Sequence, residues 1–339
     1  MKFIIKGIII SFSYLFIIQS ILADEINIYS HRQPFLINPF LKVFTQETGI
    51  EANVVYSTKG LAQRLRAEGK NSPADIILTV DIGRLYIYED MGLLAEIDSK
   101  ILNNNIPKHL KSANNTWFAL SKRSRIIATS IDRVAPDDIL RIEDLANPKW
   151  KGKICSRPGS HVYNRALMAL VIAEYGLKKA EIWAAGVVSN LARRPQGNDR
   201  AQVKAIYEGL CDVAIINNYY FGKLKYSDDP AQRKWADSMR LTFPNQGMND
   251  RGAHINISGG GVAKYSKNKA SAIKLLEFLS SAKAQRLYGE INFEYPANPE
   301  VETSEELKSW GVFREDKVAI EKIAQLSIEA QKIIDKVGW

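Results

Sequence analysis

From Glu25 to Val80 the chain reads EINIYSHRQPFLINPFLKVFTQETGIEANVVYSTKGLAQRLRAEGKNSPADIILTV, and this segment establishes its class. Ile26 to Ser30, Glu51 to Tyr56 and Ile76 to Val80 are short apolar, β-rich runs that predict strands. Asn38 to Thr48 and Gly60 to Gly69 between them have helical spacing. Strands alternating with helices point to a parallel sheet with crossover helices, so the predicted class is α/β. A further helix runs to Met91 and ends at Gly92. Trp117 to Arg125 then leads into an apolar strand, Ile126 to Ser130, which reads as a crossing into a second lobe.

Beyond the crossing, a turn at Asn147 to Gly152 precedes a short strand ending at Cys155. Helices are predicted at Ala166 to Tyr175 and Ala180 to Leu191, followed by a polar loop, Arg193 to Arg200. Asn198 or Asp199 is placed to cap the next helix, Ala201 to Gly209. Ala253 to Ile257 reads as a return strand, and Ser258-Gly259-Gly260-Gly261 as a tight turn before a helix from Lys269 to Leu287. Those glycines lack the Lys-Ser/Thr of a phosphate loop, which argues against a nucleotide site. The expected organisation is two α/β lobes joined by a hinge. One comprises residues 24–125 with about 255–300, the other 126–254 with about 301–339.

Residues 1–23 carry Lys2 and Lys6, then an apolar run, then Ser20 and Ala23 before Asp24-Glu25. This is the build of a secretory signal peptide cleaved after Ala23, because the run Ile8 to Ile18 is shorter than the ~20 residues a membrane span needs. Loss of Lys2 and Lys6 lowers the formal charge from +9 to +7. The remaining basic residues are dispersed and not interleaved with aromatics, which excludes a nucleic-acid-binding face and fits an anionic ligand or co-ligand. The two cysteines, Cys155 and Cys211, lie in the same half of the chain, and in an exported protein a disulfide between them is the expected state.

The run CDVAIINNYY, Cys211 to Tyr220, places Asn217, Asn218, Tyr219 and Tyr220 at the carboxyl end of a buried strand. In open α/β sheets ligands bind there. Tyr163 stands just before the helical run that starts at Ala166. Three phenols at element ends suggest a site for a hard, highly charged cation, because phenolate oxygen is a hard anionic ligand. Half-buried tyrosines that pack the ring and wet the hydroxyl are the plain alternative.

The order of motifs resembles the periplasmic ferric-iron-binding proteins of bacterial ABC transporters, a family of transferrin-like solute-binding proteins. The resemblance is carried by Tyr29-Ser30-His31-Arg32, Asn71-Ser72-Pro73-Ala74-Asp75, Leu120-Ser121-Lys122-Arg123, Trp150-Lys151-Gly152, Tyr163-Asn164 and Gly197-Asn198-Asp199. It continues through Asn217-Asn218-Tyr219-Tyr220, His254-Ile255-Asn256-Ile257-Ser258-Gly259 and Asn292-Phe293-Glu294-Tyr295-Pro296. It implies a type II periplasmic-binding-protein fold that closes over one Fe³⁺ in the interlobe cleft. Tyr163, Tyr219 and Tyr220 then stand as the metal-binding tyrosines, and Arg123 as the residue that meets a synergistic anion such as carbonate. A periplasmic monomer that delivers its cargo to an inner-membrane permease and ATPase is also implied.

Arg32 is followed by Gln33-Pro34-Phe35-Leu36, where many relatives carry a His-Tyr pair. Pro34 and Phe35 have no ligating atom, which leaves Gln33, His31 or water to complete the shell from the first lobe. A second reading keeps the fold and changes the cargo to an organic anion or metal chelate held by Arg123 and Lys59. For Arg123 a solvated hinge charge, and for His161 a surface loop histidine, are the plain alternatives. An enzyme is not indicated. Gly-x-Ser-x-Gly and His-Glu-x-x-His are both missing from the sequence, and His31, His109, His161 and His254 are scattered.

Overall fold

The computed structural model describes residues 24–339, so the segment read as a signal peptide lies outside the described residues. The chain opens with β1 (Glu25–Ser30), α1 (Pro34–Thr48), β2 (Glu51–Tyr56), α2 (Leu61–Glu68), β3 (Ile76–Thr79) and α3 (Ile82–Asp90). β1 pairs in parallel with both β2 and β3, as the alternating pattern predicts. α1 starts four residues before the predicted Asn38 because Pro34 occupies its first turn, where a missing N–H costs nothing.

α4 (Lys100–Asn105) leads to β4 (Phe118–Ser130), and β5 (Ile154–Cys155) to α5 (Val162–Ser189) and α6 (Asp199–Tyr207). Next come β6 (Val213–Asn217), α7 (Tyr219–Lys225), α8 (Pro230–Asp237) and β7 (Met239–Thr242). The chain closes with β8 (Ile255–Val262), α9 (Lys269–Ser280), α10 (Ala282–Asn292), β9 (Tyr295–Pro296), α11 (Glu305–Ser309), α12 (Ile320–Gln325) and α13 (Ser327–Val337). The strands order β2-β1-β3-β8-β4-β6-β5, with β7 and β9 also paired to β4.

β4 is the element shared by both halves of the sheet. Phe118 to Ser124 pair antiparallel with β8, whereas Arg125 to Thr129 pair with β6 and Ile127 to Ser130 with β7. The strand therefore begins eight residues before the predicted Ile126. Ser121 to Arg125 hid it, because their polar side chains, buried except for the half-buried Lys122, are satisfied by groups distant in sequence, such as Glu294, Glu315 and Asp199.

The glycine run at 258–261 is a correction to the sequence reading: it is strand, not turn. Gly260 sits between β3 and β4, and a Cβ there would lie 2.8 Å from the Ile77 carbonyl oxygen and 2.7 Å from Leu78 Cδ2. The glycines allow β8 to lie flush between its neighbours. α5 likewise begins at Val162 rather than Ala166 and continues to Ser189, broken only at Gly176 with φ 76° and ψ 166°. The predicted helix from Lys269 to Leu287 is two helices, divided at Ser281, whose side chain caps α10 by accepting from the Ala284 N–H. The carboxyl-terminal helical segment is also two helices, α12 against α3 and α5 and α13 along α5. Cys155 and Cys211 form a disulfide with their Cα atoms 5.9 Å apart.

Candidate functional site

All five residues of β6 are buried, and the chain turns at Asn218 into α7, whose first two residues are Tyr219 and Tyr220. Asn218 holds that turn from two sides. Its Oδ1 accepts from the Ser124 N–H at 2.8 Å and its Nδ2 donates to the Phe293 carbonyl at 3.2 Å. Gly222, one turn further, leaves room for the Phe293 ring, whose Cδ1 would stand 2.6 Å from an added Cβ.

Tyr163 approaches from the start of α5. His161 precedes that helix and accepts the Tyr163 N–H on Nδ1 at 3.3 Å, and the two rings meet edge to face at 4.5 Å. His161 is thus a half-buried helix cap rather than a surface histidine. Burial, reinforced by Arg157, lowers its pKa to about 3, so the ring is neutral. The Tyr219 hydroxyl donates to the Tyr163 hydroxyl at 3.1 Å and accepts from Asn217 Nδ2 at 3.2 Å. The Tyr219 and Tyr220 rings lie 4.5 Å apart, so the structure brings all three sequence-predicted tyrosines together.

Behind the phenols lies an ionic core that sequence reasoning missed. Asp199 is fully buried and pairs with Arg125 at 2.7 Å and Arg157 at 3.0 Å, and also accepts the Asn217 N–H at 2.9 Å. Burial alone would raise its pKa, but the two guanidiniums hold its carboxyl below the usual carboxylate range. The Arg157, Arg123 and Arg125 guanidinium carbons lie 5.1, 5.6 and 6.0 Å from the Tyr163 ring centre. The signal available was Arg125 flanked by the apolar strand Ile126 to Ser130, because a charge in such a strand must find a buried partner.

Arg123 is 2% exposed, which rules out the solvated hinge charge. Its Nη2 donates to the Val80 carbonyl and its Nη1 to Ser258 Oγ at 3.4 Å. Both anchors lie in the same half of the sheet as Arg123, whose stretch of β4 pairs with β8. Arg32 is also buried, paired with Glu294 at 3.0 Å and with Ser258 Oγ at 2.9 Å.

His31 lies in the first-half wall with both ring nitrogens engaged. Nδ1 meets the Ser57 carbonyl at 2.7 Å and Nε2 the Tyr88 hydroxyl at 2.9 Å. Because that carbonyl can only accept, Nδ1 carries the proton and Nε2 accepts from Tyr88. Burial lowers the His31 pKa to about 4, consistent with a neutral ring. Metal ligation by Nε2 would require Tyr88 to let go. Gln33 is exposed at the edge of the same cavity and makes no side-chain cap to α1. Lys59 lines an adjoining cavity of about 560 Å³ with Arg84 and Arg157.

The cavity shared by Tyr163, Tyr219, Tyr220, Arg123, His31 and Gln33 measures about 450 Å³. Arg32, Arg84, Arg123, Arg157, Arg200 and Lys223 also line it, against Glu294 as its one acid, which Arg32 already pairs. Such a wall disfavours a bare cation and favours an anion. Burial raises the Tyr219 hydroxyl well above the ordinary phenol range and raises Tyr220 as well, so both are protonated at neutral pH.

The family described as bacterial extracellular solute-binding protein matches residues 71–312. Iron uptake protein A1 of Synechocystis sp. is 40% identical over 317 residues, covering 93% of this chain and 88% of that protein. Ferric iron-binding protein A of Mannheimia haemolytica, solved in an open conformation, is 46% identical with a TM-score of 0.86, covering 93% of this chain and 98% of that one. The Trichodesmium protein solved in complex with iron and citrate ligands is 44% identical with a TM-score of 0.88, covering 93% and 99%. These structures share the two-lobe α/β fold expected from the sequence.

Proposed function

Because this chain belongs to the bacterial extracellular solute-binding proteins, we propose that it captures ferric iron through Tyr163, Tyr219 and Tyr220 and delivers it to a membrane importer. The observation that carries the reading is the convergence of three phenols from the starts of two helices, with Tyr163 and Tyr219 already 3.1 Å apart at their hydroxyls. Fe³⁺ is a hard trication, and three tyrosinates offset its charge. The metal in turn lowers the phenol pKa values from about 10, replacing the protons that burial retains.

The cationic wall supports an anion bound with the iron, carbonate or a carboxylate. Of the five N–H donors of a guanidinium, Arg123 commits two to Val80 and Ser258, and the rest are free to hold a planar oxyanion. The lobes, residues 24–125 with about 255–300 and residues 126–254 with about 301–339, close about the crossings of β4 and β8 and open to release cargo. Binding and hand-over involve no covalent chemistry. The setting is the periplasm, after cleavage near Ala23, and the partners are a permease and its ATPase, which a monomer would serve.

A second reading, an organic anion or metal chelate, is favoured by the six cations and the 450 Å³ cavity, more than a lone ion fills. Equilibrium dialysis of the purified protein against ferric salt, ferric citrate and citrate alone, with and without bicarbonate, separates them. Retention of iron from every ferric source, strengthened by an anion, supports iron capture. Retention of citrate without iron supports the second reading.

A further inference from the structure

Trp339 lies remote in sequence from the tyrosines yet is seated beneath the loop that presents one of them. It is 6% exposed and stands edge to face with Trp183 at 5.6 Å. Its indole N–H donates to Ser156 Oγ at 3.0 Å, and its carbonyl oxygen accepts from the Gly159 N–H at 3.0 Å. Gly159 rests directly on the residue: a Cβ there would lie 2.7 Å from Trp339 Cγ and 2.8 Å from its carbonyl oxygen.

Those contacts continue to the metal site without a gap. Ser156 Oγ donates to the Arg157 carbonyl at 2.7 Å and accepts from Asn164 Nδ2 at 3.2 Å. Asn164 Oδ1 accepts from Arg125, which pairs with Asp199. On the other side of Gly159, the His161 N–H donates to the Pro158 carbonyl at 3.1 Å, and His161 caps the Tyr163 N–H. Residues 156–161 are therefore fixed at Ser156 and Gly159 by one side chain and its carbonyl, and they end in the cap of the helix turn that carries the Tyr163 phenol.

We infer that Trp339 is a positioning residue for iron capture: it sets the loop 156–161 and, through it, the direction of the Tyr163 oxygen. The inference rests on the reading of Tyr163 as an iron ligand. Groups that orient a metal ligand without touching the metal are worth about 10- to 100-fold in affinity. Asn164 holds the same loop from the helix side, donating to Ser156 Oγ and to the Arg157 carbonyl at 3.1 Å, and Trp339 holds it from below.

The test is a double-mutant cycle on the full protein, read by ferric affinity in competition with citrate and by the visible tyrosinate-to-iron absorption. Trp339→Ala is expected to weaken iron binding about tenfold and to shift the absorption maximum, with Tyr163→Phe as the reference. Trp339→Phe keeps an aromatic ring under Gly159 but loses the donation to Ser156, and falls between. In the Tyr163→Phe background Trp339→Ala adds no further loss. The inference is overturned if Trp339→Ala lowers the melting temperature while affinity and absorption stay unchanged, or if its loss is equally large without Tyr163. Should Trp339→Ala fail to fold, an unaltered affinity and absorption in Trp339→Phe overturns it equally. A Tyr163→Phe protein that binds iron as the parent does refutes the ligand reading itself, and with it this inference.

Discussion

The hydroxyl of Tyr219 donates a 3.1 Å hydrogen bond to the hydroxyl of Tyr163, joining the first turns of two helices whose tyrosines are 56 residues apart in sequence. That bond is how the two phenols share the site in this structure. In the proposed iron complex both oxygens turn from each other to the metal.

Proton release follows from the burial of this pair's neighbourhood. Tyr219 and Tyr220 have hydroxyls raised above the ordinary phenol range, so both are protonated at neutral pH, and the proposed capture of iron requires them to ionise. Iron affinity is expected to fall as pH falls, by about tenfold per released proton for each pH unit. Competition titrations across the neutral range, corrected for the competitor's own protonation, check this. An affinity independent of pH contradicts it.

Asp199 holds two buried guanidiniums, and removing it strands both. Asp199→Ala is expected to cost about 3–5 kcal/mol, measured by urea denaturation. The pH sign follows from its depressed folded pKa. The Asp199 contribution is present in full above the ordinary carboxylate value of about 3.9 and is lost as pH falls through the lower folded value. The Asp199 contribution should therefore be lost only in strong acid, and the variant should lose less stability than the parent in that range.

Gly260 admits no side chain without moving β3. Gly260→Ala is expected to destabilise by about 1–3 kcal/mol, because a Cβ meets the Ile77 carbonyl oxygen and Leu78 together. A melting temperature equal to the parent's would mean that β8 can shift outward at no cost.

The Cys155–Cys211 bond closes a loop with a sequence separation of 56 and on chain-entropy grounds stabilises by about 4 kcal/mol. Denaturation with and without reductant measures it. Iron binding by the reduced protein at low temperature should persist, since neither cysteine lines the tyrosine cavity.

Much of this was legible in the sequence, for identifiable reasons. β2 was read with its observed bounds, Glu51–Tyr56, because a β-rich run between a glycine and a polar turn leaves little choice. Tyr219 and Tyr220 were placed at a strand end because Val213 to Ile216 is continuously apolar and the next two residues are not. β8 was not legible through its glycines, since a residue without a side chain contributes nothing to a period-2 pattern. Nor was the polar half of β4, whose Ser121, Lys122 and Arg125 find Glu294, Glu315 and Asp199 only in three dimensions. The same holds for Arg157. One charged residue in a loop carries no mark of the buried carboxylate 42 positions away that fixes it.

The measurement that bears most directly on iron capture is visible absorption during titration with ferric citrate, comparing the parent with Tyr163→Phe, Tyr219→Phe, Tyr220→Phe and the triple variant. Tyrosinate capture predicts a charge-transfer band that grows to one iron per protein, diminishes and shifts in each single variant, and is gone from a triple variant that remains folded. A folded parent that retains iron without any such band, or a triple variant that keeps it, would contradict the account and move the cargo to an anion or chelate held by the arginines of the same cavity.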